Sequence, residues 1–338
     1  MIQQPHLTVS SSPHIKGEDN TRSIMLDVCI ALVFPLAIAC YFFGLRALLL
    51  ALVSVVSCVL FEWLYRKLMH KTSAIGDLSA VVTGLLIAFG LPVSVPYWIP
   101  IVGAFFAIVI AKQLYGGLGK NWINPALAAR VFLFLSFPAY LDAAAFTPAL
   151  LKPGLPLWGT IDAVSAATPL AFMQNGQLPL RTYTLQELFL GQIPGCLGEV
   201  SAVILLVSGL YLLLRRVITP RIPLAYLGTV ALCAFAFPRG DGAAWQWVVC
   251  ELLSGGLILG AVFMATDFST SPVTPRGQWI FGVGCGLLTV LIRVFGAYPE
   301  GVSFAILIMN SCVWFLDKMG LPRRFGVRWF TRKKEGAS

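Results

Sequence analysis

Ten apolar runs, each close to twenty residues, leave this chain few folds to choose from. They lie at about 24–43, 45–65, 78–94, 97–114 and 124–140, then at about 198–215, 222–238, 245–265, 278–296 and 301–318. A helix needs about 20 residues to cross about 30 Å of hydrocarbon, and it satisfies its own backbone while doing so. The runs therefore predict an all-α integral membrane protein of about ten transmembrane helices. Charge agrees, since 12% of the 338 residues are charged and 58% hydrophobic, whereas a soluble domain carries about 25% charge. The net charge of +9 comes from short basic clusters between runs, not from a soluble basic face, which argues against nucleic acid as a partner.

Those clusters also orient the chain. With the N-terminus inside, 18 of the 24 basic residues fall on inner segments, from Lys16 and Arg22 through Arg66, Lys67, Lys71, Lys112 and Lys120 to the tail between Lys318 and Lys334. Both termini are then cytoplasmic, as an even number of spans requires. The polar start lacks the short apolar core and cleavage site of a signal peptide. The expected divisions are a cytoplasmic tail (1–22), a first five-helix half (23–140), an outer segment (141–197), a second five-helix half (198–318) and a basic tail (319–338). That last tail suits the anionic lipid of the inner leaflet. Five spans per half force opposite orientations, so any repeat must be inverted. The third run of each half is rich in small residues (Ser79, Ala80, Thr83, Gly84 and Ala88; Gly255, Gly256, Gly260 and Ala261), a pattern that ordinary close helix packing also produces.

Few residues carry chemistry. None of the eight cysteines is spaced C-x-x-C, and His6, His14 and His70 lie outside the runs. Neither a metal centre, an all-cysteine cluster nor a two-histidine haem is expected, and no catalytic residue stands out. In Gly119-Lys-Asn-Trp-Ile-Asn-Pro-Ala126, Asn124 and Pro125 read as the cap and first position of a helix. Asn121, Trp122 and Asn124 can also line a flavin or ion path, since amides hydrogen-bond and an indole stacks. Arg130, Glu251 and Arg293 fall inside runs, and each needs a partner or a wet cavity. Glu251 is a candidate for ion coupling or for an ion pair with an arginine. Asp267 is a candidate for cation or proton binding, or a solvated helix end. Gly282-Val-Gly-Cys-Gly286 sits within a run, with no strand before it and no lysine after it, and reads as helix packing and not as a phosphate loop.

Asp162-Ala-Val-Ser-Ala-Ala-Thr168, in the longest polar interval, resembles the flavinylation motif D-x-x-(S/T)-(G/A)-A-(T/S). Further motifs are Ser12-Pro-His-Ile15, the Gly119–Ala126 stretch, Met264-Ala-Thr-Asp-Phe-Ser-Thr-Ser-Pro-Val-Thr-Pro-Arg-Gly277 and Tyr298-Pro-Glu-Gly-Val-Ser-Phe-Ala305. Together, over residues 11–325, they resemble the membrane-protein family that includes the D component of Rnf (Rsx) electron transport complexes and the B component of the sodium-pumping NADH:quinone reductase. The tail of 22 residues before the first run favours the Rnf side. Ala166 stands where the motif more often has glycine, a small change. The resemblance implies two inverted five-helix halves, similar to urea-transporter-type channels, in a bacterial inner membrane. It implies FMN joined through a phosphoester to Thr168 by a flavin transferase that reads Asp162 and Ser165. A second, non-covalent riboflavin or FMN fits the helix bundle. The role implied is electron passage across the membrane coupled to sodium or proton movement, beside other complex subunits that include a periplasm-facing flavin subunit. The alternative is a channel or transporter of the same architecture without redox chemistry.

Overall fold

A computed structural model of the chain describes residues 20–71, 75–141, 168–199, 201–296, 298 and 300–320. Among them every regular element is helical. α1 (Thr21–Phe43) and α2 (Leu45–Leu68) are followed by α3 (Ser79–Phe89) and α4 (Trp98–Phe105), the last continuing as a π-helical turn over Phe106–Gln113. α5 (Pro125–Ser136) and the short α6 (Pro138–Leu141) end the first set. Two short helices, α7 (Pro169–Gln174) and α8 (Leu185–Leu190), precede α9 (Ala202–Leu214) and α10 (Arg221–Ala236). α11 (Ala244–Leu253) breaks before α12 (Leu257–Leu259), which runs on as a π-helical turn over Gly260–Met264. α13 (Pro275–Phe295) and α14 (Val302–Gly320) complete the chain described.

Four helices (α1, α2, α13 and α14) are long and apolar enough to cross a membrane, and the pair Ala244–Leu253 with Leu257–Met264, bent by 65°, makes a fifth. The other long runs become apolar helices of 10–17 residues. Proline explains much of the shortening. α5 stops before Phe137-Pro138 and α10 before Phe237-Pro238, because the residue preceding proline is pushed out of the helical region. Between α3 and α4 the chain turns at Pro92 and Pro96. Leucines, valines and aromatics on the outer helix faces stay exposed, among them Leu52, Val56 and Leu60 on α2, Leu232 and Phe235 on α10, and Leu287 and Leu291 on α13. An apolar girdle of this extent belongs in lipid, and the chain is a multi-pass membrane protein.

Small residues set the packing. Ser54 Oγ donates to the Gly84 carbonyl (2.7 Å), and a Cβ on Gly84 would stand 2.7 Å from Val55 Cα, so α2 and α3 touch backbone to backbone. Gly282 and Gly286 do the same for α13 against Ala225 and Thr229 of α10, which is the packing role read from their spacing. One buried apolar cluster joins both sets, from Leu32, Leu50 and Ile87 to Leu257, Phe281 and Ile306.

α1 and α2 meet at a single residue. Gly44 has φ +76° and ψ −165°, a region that in practice only glycine occupies. Nothing stands within 4 Å of the place its Cβ would take, so backbone conformation and not space demands glycine. Gly44→Ala is expected to cost about 1–3 kcal/mol, read as a lower unfolding midpoint in detergent.

Candidate functional site

Two cavities open within the helix set, and α5 contributes to both. The first is a cleft holding Thr168. Its walls come from the turn after α3 (Gly90, Pro92), from α5 (Arg130, Val131, Phe134), from the segment before α9 (Ile193, Pro194, Cys196, Glu199), from Gly255 at the helix break, and from the start of α14 (Glu300, Ser303, Phe304). Thr168 is the N-cap of α7, followed by Pro169 at the first helical position, and its Oγ1 accepts from Ala171 N (3.3 Å). That bond uses an oxygen lone pair and leaves the hydroxyl proton out of it. The residue is 6% exposed. Asp162 and Ser165 lie outside the described residues.

Arg130 dominates the cleft's polar end. Its Nη1 donates to Glu300 Oε1 (3.0 Å) and Ser303 Oγ (3.2 Å), and its Nη2 pairs with Glu300 Oε2. Nη2 also lies 3.6 Å from Glu199 Oε1 and 3.6 Å from Cys196 Sγ. Two carboxylates from the second set of helices thus share one guanidinium from the first. Beside them Phe134 packs edge-on to Tyr298 (4.7 Å between centroids), and Tyr298 stacks on Phe304 (6.0 Å). The arginine in an apolar run was legible as a group needing a partner; Glu199 and Glu300, both lying at helix starts, were not.

The second cavity lies further along α3 and α5, and Met25 and Val28 of α1 also line it. Ser79, Thr83 and Leu86 come from α3, Lys112 from the π-helical turn, Asn121, Asn124 and Pro125 from the entry to α5, and Val217 and Ile218 from the turn after α9. Val262 and Phe263, with Thr266, Asp267 and Ser269, come from the end of the broken helix. Asn121, Asn124 and Asp267, more than 140 positions apart at the extremes, therefore face one space. Their commitments differ. Asn124 caps α5 by accepting from Ala126 N (3.0 Å) and Leu127 N (3.3 Å), and its Nδ2 donates to the Met264 carbonyl (3.2 Å). Asn121 Nδ2 donates to the Ile123 carbonyl (3.1 Å), but its buried Oδ1 has no partner. Asp267 Oδ2 accepts from Ser269 Oγ and Thr270 Oγ1 (both 3.0 Å). Burial pushes its carboxyl above the usual range, against those hydroxyls. Trp122 is 49% exposed, packs edge-on to Tyr115 and is not among the residues lining this cavity.

Lys112, counted among the inner basic residues, lies in the π-helical turn after α4. It is 2% exposed and bound to Glu62. Glu251 is 4% exposed, with Oε2 2.5 Å from Arg293 Nη1 and Oε1 3.5 Å from Arg239 Nη2. Arg293 also donates to the carbonyls of Glu251 (2.9 Å) and Ser254 (3.2 Å), so it braces the backbone where α11 breaks. No group of three or more metal-ligating side chains is present among the described residues.

Comparison with known proteins adds a family to this geometry. Residues 8–326 match the NQR2, RnfD, RnfE family. The D component of the Na(+)-translocating ferredoxin:NAD(+) oxidoreductase complex of Acetobacterium woodii is 47% identical over 328 residues, 96% of this chain and 97% of that one. Its counterpart in the proton-translocating ferredoxin:NAD(+) oxidoreductase complex of Clostridium ljungdahlii is 37% identical over 334 residues, 97% and 98% of the two chains. The D component of the ion-translocating oxidoreductase complex of Stutzerimonas stutzeri is 39% identical over 323 residues, 90% and 91%. With a match across nearly its whole length, the chain belongs to the NQR2, RnfD, RnfE family.

Proposed function

We propose that the chain is the D component of an Rnf-type ion-translocating oxidoreductase, with FMN joined to Thr168 and a second, non-covalent riboflavin or FMN beside Asn121. The observation that carries this reading is a pair of cavities both lined by α5, one holding the hydroxyl of the flavinylation motif and the other an unpartnered buried amide oxygen. α5 runs from one to the other: Pro125 lines the second and Val131 the first, a rise of about 9 Å at 1.5 Å per residue. Redox groups exchange electrons only at close range, and a path through the helix set needs its stations spaced in this way.

The protein's own residues fit such groups. Phe134 and Phe304 give the Thr168 cleft apolar planes, Arg130 gives it fixed positive charge, and the Thr168 hydroxyl supplies the oxygen of a phosphoester. In the second cavity Val262 and Phe263 offer apolar walls, and Asn121 Oδ1 accepts a hydrogen bond of the kind a ring N–H makes. A flavin, when bound, supplies reversible one- and two-electron transfer. In this reading the chain crosses a bacterial inner membrane ten times, in two inverted five-helix halves laid out like urea-transporter-type channels, with both termini cytoplasmic. Its partners are the other subunits of the complex, including a periplasm-facing flavin subunit, with the flavin transferase that recognises Asp162 and Ser165 and the surrounding lipid.

The intact chain's mass and its acid-extractable flavin test the proposal together. Wild-type protein from cells that possess the transferase is expected to carry one FMN on the chain and to release a second flavin on denaturation. A chain without added mass and a dark denatured band would leave a channel or transporter of the same helix architecture as the reading.

Glu251 and Asp267 are the proposed ion-coupling residues. Glu251→Gln is expected to cut coupled ion uptake by more than half while the complex still assembles. Uptake at the wild-type level, with normal expression, would remove Glu251 from the mechanism and leave it as the partner of Arg293.

A further inference from the structure

The Asn121 cavity has one positively charged wall residue among those described, and its surroundings are built around it. Lys112 Nζ donates to Ser79 Oγ (2.6 Å) and to Glu62 Oε2 (3.2 Å). Ser79 Oγ in turn donates to Asp77 Oδ1 (2.6 Å). Gln113 Nε2 donates to Glu62 Oε1 (2.6 Å), and Arg66 Nε stands 3.8 Å from the same oxygen. Lys112 and Gln113 are consecutive, yet both reach Glu62. They close the π-helical turn Phe106–Gln113, a local rewinding that often accompanies a functional position.

Position decides what this arrangement does. Lys112 lines the cavity, and its partner Glu62 is not among the lining residues. A buried lysine needs a counter-charge to stay where it is; Glu62 supplies one without lining the cavity. The other ionisable group on the wall is Asp267, whose Oδ2 is turned into the hydroxyls of Ser269 and Thr270. A flavin that takes up two electrons and one proton gains one negative charge, and its potential follows the charges around it. A fixed cation beside it favours that reduced form over the neutral oxidised one.

We propose that Lys112 is the counter-charge for the reduced flavin in this cavity, a positioning residue that sets the flavin's electron affinity. The proposal rests on the second-flavin reading above. It assigns a role to the ion pair of Lys112 and Glu62 that fold stability alone does not require.

The test uses the assembled complex, with Lys112→Met, Lys112→Arg, and Lys112→Met combined with Glu62→Gln, so that no bare carboxylate is left buried. Two quantities are measured for each: acid-extractable flavin per chain, and the midpoint potential of that flavin. Lys112→Arg is expected to stay near wild type. Both methionine variants are expected to keep the flavin and to lose at least tenfold in preference for its reduced form, about 30 mV lower for a two-electron couple. An unchanged midpoint in the double variant with flavin retained overturns the proposal. Loss of extractable flavin from an assembled Lys112→Met complex also overturns it, because the lysine would then hold the oxidised ring. A wild-type complex that releases no flavin is a distinct outcome and removes the second-flavin reading itself.

Discussion

Thr168→Val is expected to abolish covalent flavin, leaving a denatured band that is dark under blue light where wild type fluoresces. Valine matches threonine in shape but has no oxygen from which a phosphoester could form. The substitution also removes the N-cap of α7, where Thr168 Oγ1 accepts from Ala171 N. Loss of such a cap costs about 1 kcal/mol, enough to lower the unfolding midpoint slightly and far too little to unfold a helix set packed around a shared core. Two companions separate the effects. Thr168→Ser keeps hydroxyl and cap, so fluorescence and midpoint should both persist. Thr168→Asn keeps a capping oxygen but offers no hydroxyl, so fluorescence should vanish while the midpoint stays near wild type. Fluorescence retained by the valine variant would place the flavin on another residue and sink the assignment of Thr168.

How much of this was legible in advance depends on the range of the interaction. α1, α2, α13 and α14 follow their apolar runs closely, because length and hydropathy are local properties. The Asn124 cap and the glycine contacts of α13 were legible for the same reason: each is written within a few positions. The interrupted helices were less so. Hydropathy stays high through Ser254-Gly255-Gly256 and through both π-helical turns, and only the geometry reports the 65° bend. Partners of buried charges were the least legible. Lys112 near the end of a run reads as an inner-loop cation, since its partner Glu62 is 50 positions away. Arg130 and Glu300 are 170 positions apart. At the entry to α5, Asn121 and Asn124 line the cavity while Trp122 between them packs against Tyr115.

Arg130→Met is expected to be the most destabilising single change in the Thr168 cleft. Arg130 is held by Glu300 through both terminal nitrogens, by Ser303 and by the nearby Glu199. Its stem lies over Gly90, where a Cβ would come within 2.8 Å of Arg130 Cδ. Methionine keeps most of that stem and removes the charge, which leaves two carboxylates facing each other in a low-dielectric cleft. Removing one partner of a buried ion pair costs about 3–5 kcal/mol, because the remaining charge is uncompensated. Arg130→Lys should recover only part of the loss, since a point charge cannot reach both Glu300 oxygens and Ser303 at once. Adding Glu300→Gln to Arg130→Met should restore stability, because it takes away the carboxylate most dependent on the guanidinium. Unfolding midpoints in detergent for the two single variants and the double variant close a cycle that isolates the pair. A coupling energy near zero, or an Arg130→Met protein as stable as wild type, would mean that water in the cleft already screens these charges. The joining of the two helix sets at this point would then rest on Phe134, Tyr298 and Phe304.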